Sequence, residues 1–112
     1  MNNLYQERLN GIIYDFQSGS RDIALKVFSF VREFVNSANT YSWKSELTQY
    51  LAEIESHKNS MAIIKNIILQ IQNFLSTSAS KADFLQKLEN FEIEFHYVIN
   101  RIINNLRLEI FN

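Results

Sequence analysis

The 112-residue chain contains no cysteine, no proline and only two glycines. Without cysteine it has no disulfide, no thiolate metal site and no cysteine nucleophile. It also lacks a run of roughly 18 apolar residues, so no segment is predicted to span a membrane. The first residues lack the basic region and apolar core of a signal peptide. Since a cysteine-free chain is compatible with the cytoplasm, we expect a cytoplasmic protein.

The charge is small and mixed along the chain, with a formal net charge of −1. A nucleic-acid surface usually needs a concentrated basic face, so we expect no nucleic-acid partner. The hydrophobic content of 46% is that of a globular protein rather than a disordered one. Together with the length, it predicts one helical domain over residues 1–112.

Motifs for cofactor chemistry are absent from the sequence. It has neither the glycine-rich dinucleotide fingerprint nor a phosphate loop ending in Gly-Lys-Ser. No nucleophile lies at a suggestive distance from His57 or His96. Glu92 and His96 are four residues apart and could hold a metal, but a solvated helical ion pair is the favoured interpretation. We therefore predict no catalytic residue, no cofactor and no metal.

Apolar residues recur at helical spacing in five segments, which predicts an all-α bundle of about five helices with a long C-terminal helix. The helices are expected over residues 3–16, from the Ser18–Ser20 region to about 35, from Ser42 to about 55, over 61–75 and over 81–110. Ser42 is an expected N-cap, and Ser80 with Asp83 resembles a capping box. Gly11, inside the first helix, indicates a close helix crossing.

Two of the predicted helices carry more apolar surface than a small bundle needs. The fourth is apolar over more than half its circumference, so it is central or is covered by a partner. The fifth has a heptad-like seam and would be about 45 Å long, roughly twice its neighbours. The seam residues are Phe84, Leu88, Phe91, Phe95, Val98, Ile102 and Leu106, widened by Ile99, Ile103 and Ile110. This excess suggests an interface outside the chain.

The segment Ser18-Gly19-Ser20-Arg21 joins the first two predicted helices. A glycine beside serine hydroxyls at a helix N-terminus leaves amides pointing outward, which favours phosphate, and Arg21 adds positive charge. Lys58 and Ser60 precede the fourth helix with similar chemistry. These six residues are the predicted phosphate ligands. The alternative is a tight helix–helix turn in which Ser18 or Ser20 caps the second helix.

Both loops resemble the N-terminal helical domain of the translation initiation factor 2B alpha/beta/delta family, which includes ribose-1,5-bisphosphate and methylthioribose-1-phosphate isomerases. The run Ser18-Gly19-Ser20-Arg21-Asp22-Ile23-Ala24 is similar to the Ser-Gly-Ser form of the family's first motif, which is followed by an Ile-Ala helix. The run Lys58-Asn59-Ser60-Met61-Ala62, with Asn66, is similar to its second motif, Arg-Pro-Ser-Met-Ala followed by Asn. Order, spacing and helix pattern fit over nearly the whole chain.

The resemblance implies a helical domain that precedes a Rossmann-like domain carrying the catalytic Cys and Asp of the isomerases. That second domain is expected to be absent here, and the chain has no cysteine. Ser18 stands where the isomerases have arginine, and Lys58-Asn59 replaces Arg-Pro. The resemblance therefore implies a chain that is not an enzyme on its own.

Three functions are compatible with the sequence. The favoured one is a non-catalytic binding or regulatory module that docks on a Rossmann-like family subunit or an initiation factor. Such a module could also sense a sugar phosphate or a nucleotide. The second is the substrate-side domain of a split or truncated sugar-phosphate isomerase, with Ser18, Gly19, Ser20, Arg21 and Lys58 lining half a phosphate pocket. The third is a homo-oligomeric helical scaffold without a ligand.

Overall fold

A computed structural model describes the backbone of residues 3–39 and 41–111 and the side chains of residues 5–39 and 41–101. All of the regular structure in these ranges is helical. The helices are α1 (Asn3–Ile13), α2 (Ser20–Ser37), α3 (Trp43–His57), α4 (Ala62–Thr77) and α5 (Lys81–Phe111). The predicted all-α bundle with a long C-terminal helix is confirmed. None of the helices in these ranges is both long and apolar enough to cross a bilayer.

Helix α2 is the centre of the bundle, since it packs against each of the other four helices. Its buried residues form a wide apolar face that runs from Ile23 to Val35 and includes the Phe28 and Phe34 rings. Phe28 packs on Phe91 and Phe95 of α5 with ring centroids 5.6 Å apart in both cases. Such tilted and edge-on aromatic pairs add about 0.5–1.5 kcal/mol each beyond the area they bury.

The fourth helix is not at the centre of the bundle, which is one of the two positions that its composition predicts. Helix α4 packs against α2, α3 and α5, but Ile63 and Leu69 remain 41% and 50% exposed. Its other apolar residues, Ile64, Ile67, Ile68, Ile71 and Leu75, are buried as expected. The apolar surface in excess on α4 is therefore open to solvent in this chain.

Helix α1 is shorter than the predicted segment 3–16, and two expectations about it are wrong. It ends at Ile13. Phe16, which belongs to the predicted segment, lies outside the helix, and 78% of its surface is exposed. The cause is Asp15, whose carboxylate accepts the amides of Gln17 and Ser18 and turns the chain. Gly11 is exposed, and a Cβ added there meets nothing within 4 Å, so no close helix crossing requires this glycine.

Capping follows the prediction for α5 and departs from it for α2. Ser80 Oγ accepts the amide of Asp83 at 3.1 Å, and the Asp83 carboxylate accepts the amide of Ala79 at 3.1 Å, which lowers the pKa of Asp83. At α2 the N-cap is Gly19, without a side-chain cap, so neither Ser18 nor Ser20 caps it. Ser18 is instead hydrogen-bonded to Asp15. Ser42 is the N-cap of α3, and its hydroxyl donates to Glu46 at 3.2 Å.

We expect Gly11→Ala to raise the free energy of unfolding by about 1 kcal/mol, because alanine has the higher helix propensity and its Cβ has room. The measurement is urea unfolding followed by circular dichroism. Gly19→Ala is the matched control, because glycine is a better N-cap than alanine. It is therefore expected to lower stability although its Cβ also has room. An unchanged or lowered stability of Gly11→Ala would contradict this account.

Candidate functional site

Asp15 organises the connection between α1 and α2. Its Oδ1 accepts the backbone amides of Gln17 at 3.1 Å and Ser18 at 3.0 Å, and its Oδ2 accepts the Lys26 ammonium at 2.5 Å. The ammonium of Lys26 is the largest cause that holds the pKa of Asp15 well below its usual range, followed by the hydrogen bonds from Ser18. The carboxylate is therefore ionised throughout the physiological pH range.

Lys58 joins the two predicted phosphate loops in space. It is only 3% exposed, and its Nζ donates to the backbone carbonyl of Asp15 at 2.5 Å, across 43 residues of sequence. The ammonium also lies 4.7 Å from the centroid of the Phe16 ring, a cation–π contact. The convergence of the 15–18 connection and the 58–60 turn could not be read from the sequence.

The six predicted phosphate ligands occupy different environments around this connection. Ser18 is half-buried beside Asp15, Gly19 is the N-cap of α2, and Ser20 and Arg21 begin the helix. Lys58 is buried at the end of α3, whereas Ser60 is exposed in the turn that precedes α4. The structure thus brings Lys58 to the connection that contains Ser18.

An anion at the start of α2 would have to use amides of the first helical turn. The first intrahelical bond of α2 runs from the Ile23 amide to the Gly19 carbonyl at 3.1 Å, so the preceding amides have no acceptor within the helix. The amides of Gln17 and Ser18 already donate to the negative Asp15, and the Lys58 ammonium donates to a carbonyl. Phosphate binding here stays a prediction.

A second candidate site is an apolar groove between α4 and α5. Its volume is about 420 Å³. The floor and walls are formed by Ile63, Ile67, Phe91, Phe95, Val98 and Ile99. Among the side chains that the structure describes, the only polar ones that line it are the amides of Asn66 and Gln70. Concave apolar surface with a few amide groups is typical of a site that accepts an apolar helix.

The groove exists because the α5 seam loses its cover along the helix. Phe84 and Leu88 are buried, Phe91 and Phe95 are half-buried, and Val98 is 45% exposed. The later seam positions predicted from the sequence, Ile102, Ile103, Leu106 and Ile110, lie outside the described side chains. Within the described part, the predicted seam is thus only half covered by this chain.

The pair Glu92 and His96 forms an ion-pair contact. His96 Nε2 lies 3.8 Å from Glu92 Oε2, and the Glu92 carboxylate is also paired with Arg32 of α2. In residues 5–39 and 41–101, no three side chains of His, Cys, Asp or Glu converge to form a metal site. The role of Glu92 is to tie α5 to α2.

The sequence interpretation missed Asp15, although a local signal was present. An aspartate two and three residues before exposed amides is typical of a side-chain turn that ends a helix. It also missed the pairing of Lys26, whose ammonium binds Asp15 across 11 residues while 47% of its side-chain surface stays exposed.

Comparison with models of protein families, with curated proteins and with solved structures finds no match to this chain. The resemblance to the initiation factor 2B family therefore rests on the quoted motifs alone. Function has to be argued from the geometry of the Asp15 connection and of the α4–α5 groove.

We expect Asp15 to contribute stability that depends on pH. Because the folded pKa lies below that of the unfolded chain, about 3.9, the contribution is fully present well above pH 4 and is lost as pH falls through the folded pKa. Asp15→Asn keeps an acceptor for the two amides but loses the charge. Its unfolding free energy, measured by urea at a series of pH values, should lie below that of the natural chain at neutral pH and converge with it in acid.

Asp15→Ala is the comparison that separates charge from hydrogen bonding. It loses the acceptor as well, so it should remain less stable than Asp15→Asn at every pH, including acid. Curves for the natural chain and Asp15→Asn that stay parallel down to low pH would show that the charge of Asp15 has no role in stability.

Proposed function

We propose that this chain is a non-catalytic interaction module that accepts an apolar helix of a protein partner in the α4–α5 groove. The observation that carries the proposal is that Ile63 and Val98, apolar side chains on the two sides of a mostly apolar groove, are exposed to solvent. Leaving such surface in water costs roughly 25 cal/mol per Å² relative to burying it. A partner that covers the groove would recover this free energy.

The positions of the charged residues near the groove support recognition of a partner by shape and apolar contact. Glu92 is engaged with Arg32 on the α2 side of α5, away from the groove lining, while Glu94 is exposed on α5. Within residues 5–39 and 41–101, no charged side chain lines the groove. An interface core that is depleted of charge and contains aromatic residues such as Phe91 and Phe95 is typical of protein–protein contacts.

The family resemblance extends the proposal to a class of partner and to a location. A helical domain of the initiation factor 2B kind would work in the cytoplasm. It would dock on a Rossmann-like subunit or on an initiation factor, and would sense a sugar phosphate or a nucleotide at the connection of α1 and α2. The proximity of Ser18 and Lys58 supports this extension, since the two motifs that carry the resemblance meet at Asp15.

The second candidate is half of a split sugar-phosphate isomerase, and one observation favours it: Lys58 lies at the same connection as Ser18. Two others weigh against it. The ionised Asp15 would repel a phosphate, and the Lys58 ammonium is buried and already hydrogen-bonded. The same two observations weigh against phosphate sensing at this connection by the interaction module. Docking in the α4–α5 groove needs no rearrangement of the connection, so docking is the better supported function.

We expect Val98→Glu to abolish recovery of a specific partner when the tagged chain is used to capture proteins from cells of its source and the bound proteins are identified by mass spectrometry. Val98 is 45% exposed, so the glutamate is tolerated in the free chain but is desolvated in a filled groove. A family subunit or initiation factor among the proteins lost would support the family extension.

Ile93→Glu is the matched control, because Ile93 lies on the same helix, is 62% exposed and does not line the groove. It should recover the same proteins as the natural chain. If Val98→Glu and Ile93→Glu both behave like the natural chain in partner recovery and in self-association, the groove is not a docking site and the proposed function is wrong.

A further inference from the structure

We infer that the occupant of the α4–α5 groove is the C-terminal part of α5 from a second copy of this chain, in a symmetric antiparallel dimer. This inference rests on the proposed function, because it names the partner of the same groove. The length of α5 and the register of its apolar residues support it.

The length of α5 carries it past the rest of the bundle. Lys81 at its start donates to the Ala38 carbonyl at the end of α2, so the two helices are aligned there. At 1.5 Å per residue, α2 with 18 residues is about 27 Å long and α5 with 31 residues about 46 Å. About 20 Å of α5 therefore extends beyond the start of α2.

Helix α4 ends its contact with α5 at a similar level. The three-residue connection 78–80 makes α4 and α5 antiparallel, so the start of α4 lies beside the middle of α5. Ile63, near that start, lines the groove together with Phe95 and Val98. An isolated helix of about 13 residues is marginal in water, so a partner helix packed along the remaining length of α5 would stabilise it.

The sequence of the extending part continues the apolar seam at helical spacing. Residues 102–111 are helical, and Ile102, Ile103, Leu106 and Ile110 follow Val98 and Ile99 in steps of three and four. The groove and the extending seam are thus two parts of one stripe. The extending seam of one copy and the groove of the other are both apolar. Each copy can therefore place its seam in the groove of the other, which is the condition for a self-complementary two-fold interface.

An antiparallel register matches apolar positions throughout. It places three groove residues opposite apolar residues of the second copy. Phe91 lies opposite Ile110, Phe95 opposite Leu106 and Val98 opposite Ile103. The overlap, from position 91 to position 110, is about 30 Å long. The α4 residues that line the groove, Ile63, Asn66, Ile67 and Gln70, add to the face that α5 contributes on each side.

Sedimentation velocity of the 112-residue chain across a range from submicromolar to hundreds of micromolar tests the inference. We expect a monomer–dimer equilibrium. Val98→Glu should raise the dimer dissociation constant roughly a hundredfold, since it buries two charges at the centre of the interface. Ile93→Glu, the control on the same helix, should leave the dissociation constant unchanged. Circular dichroism spectra and thermal unfolding of each monomer establish that the variants are folded.

A chain that is monomeric at every concentration overturns the inference, and so does a dimer that Val98→Glu leaves intact. These results are distinct from failure of the proposed function. A monomeric chain whose Val98→Glu variant loses a heterologous partner retains the function and loses only the second copy as occupant.

Discussion

Burial of the wide apolar face of α2 is the constraint on which the rest of the structure depends. This helix packs against α1, α3, α4 and α5, so its eight buried side chains set where the other helices can lie. The aromatic contacts of Phe28 with α5, and of Phe34 with Tyr5 and Tyr50 at 5.1 and 5.4 Å, orient helices that are distant in sequence. A small chain without disulfides obtains its cohesion from one such shared core.

The arrangement around α2 has a consequence for the surface. Once α2 occupies the centre, α4 and α5 lie beside each other with α2 on one side, and a chain of five helices has none left to cover their other side. The seam residues are accordingly buried at Phe84 and half-exposed at Val98. The same geometry that satisfies the core therefore produces the groove, which links the fold to the proposed interaction.

The connection of α1 to α2 shows a different use of polar groups. The Asp15 carboxylate accepts hydrogen bonds from two backbone amides and from the Lys26 ammonium. The Lys58 ammonium donates to the backbone carbonyl of Asp15 and stabilises the same connection. The two motifs that carry the family resemblance meet here. Their cation, the Lys58 ammonium, and one of their amides, that of Ser18, are hydrogen-bonded to Asp15 and hold the bundle together. A phosphate site at this place and a structural clamp use the same atoms, and the clamp satisfies them without a ligand.

The sequence alone determined the all-α class, the number of helices and most of their buried residues, because helical periodicity is a local property that needs no knowledge of neighbours. It also located the Ser80–Asp83 cap, whose atoms are three residues apart. Only the tertiary structure decided that α2 rather than α4 is central, that α1 ends at Ile13, and that Lys58 reaches Asp15. These depend on packing between segments distant in the chain, where burial and long-range hydrogen bonds override a local pattern.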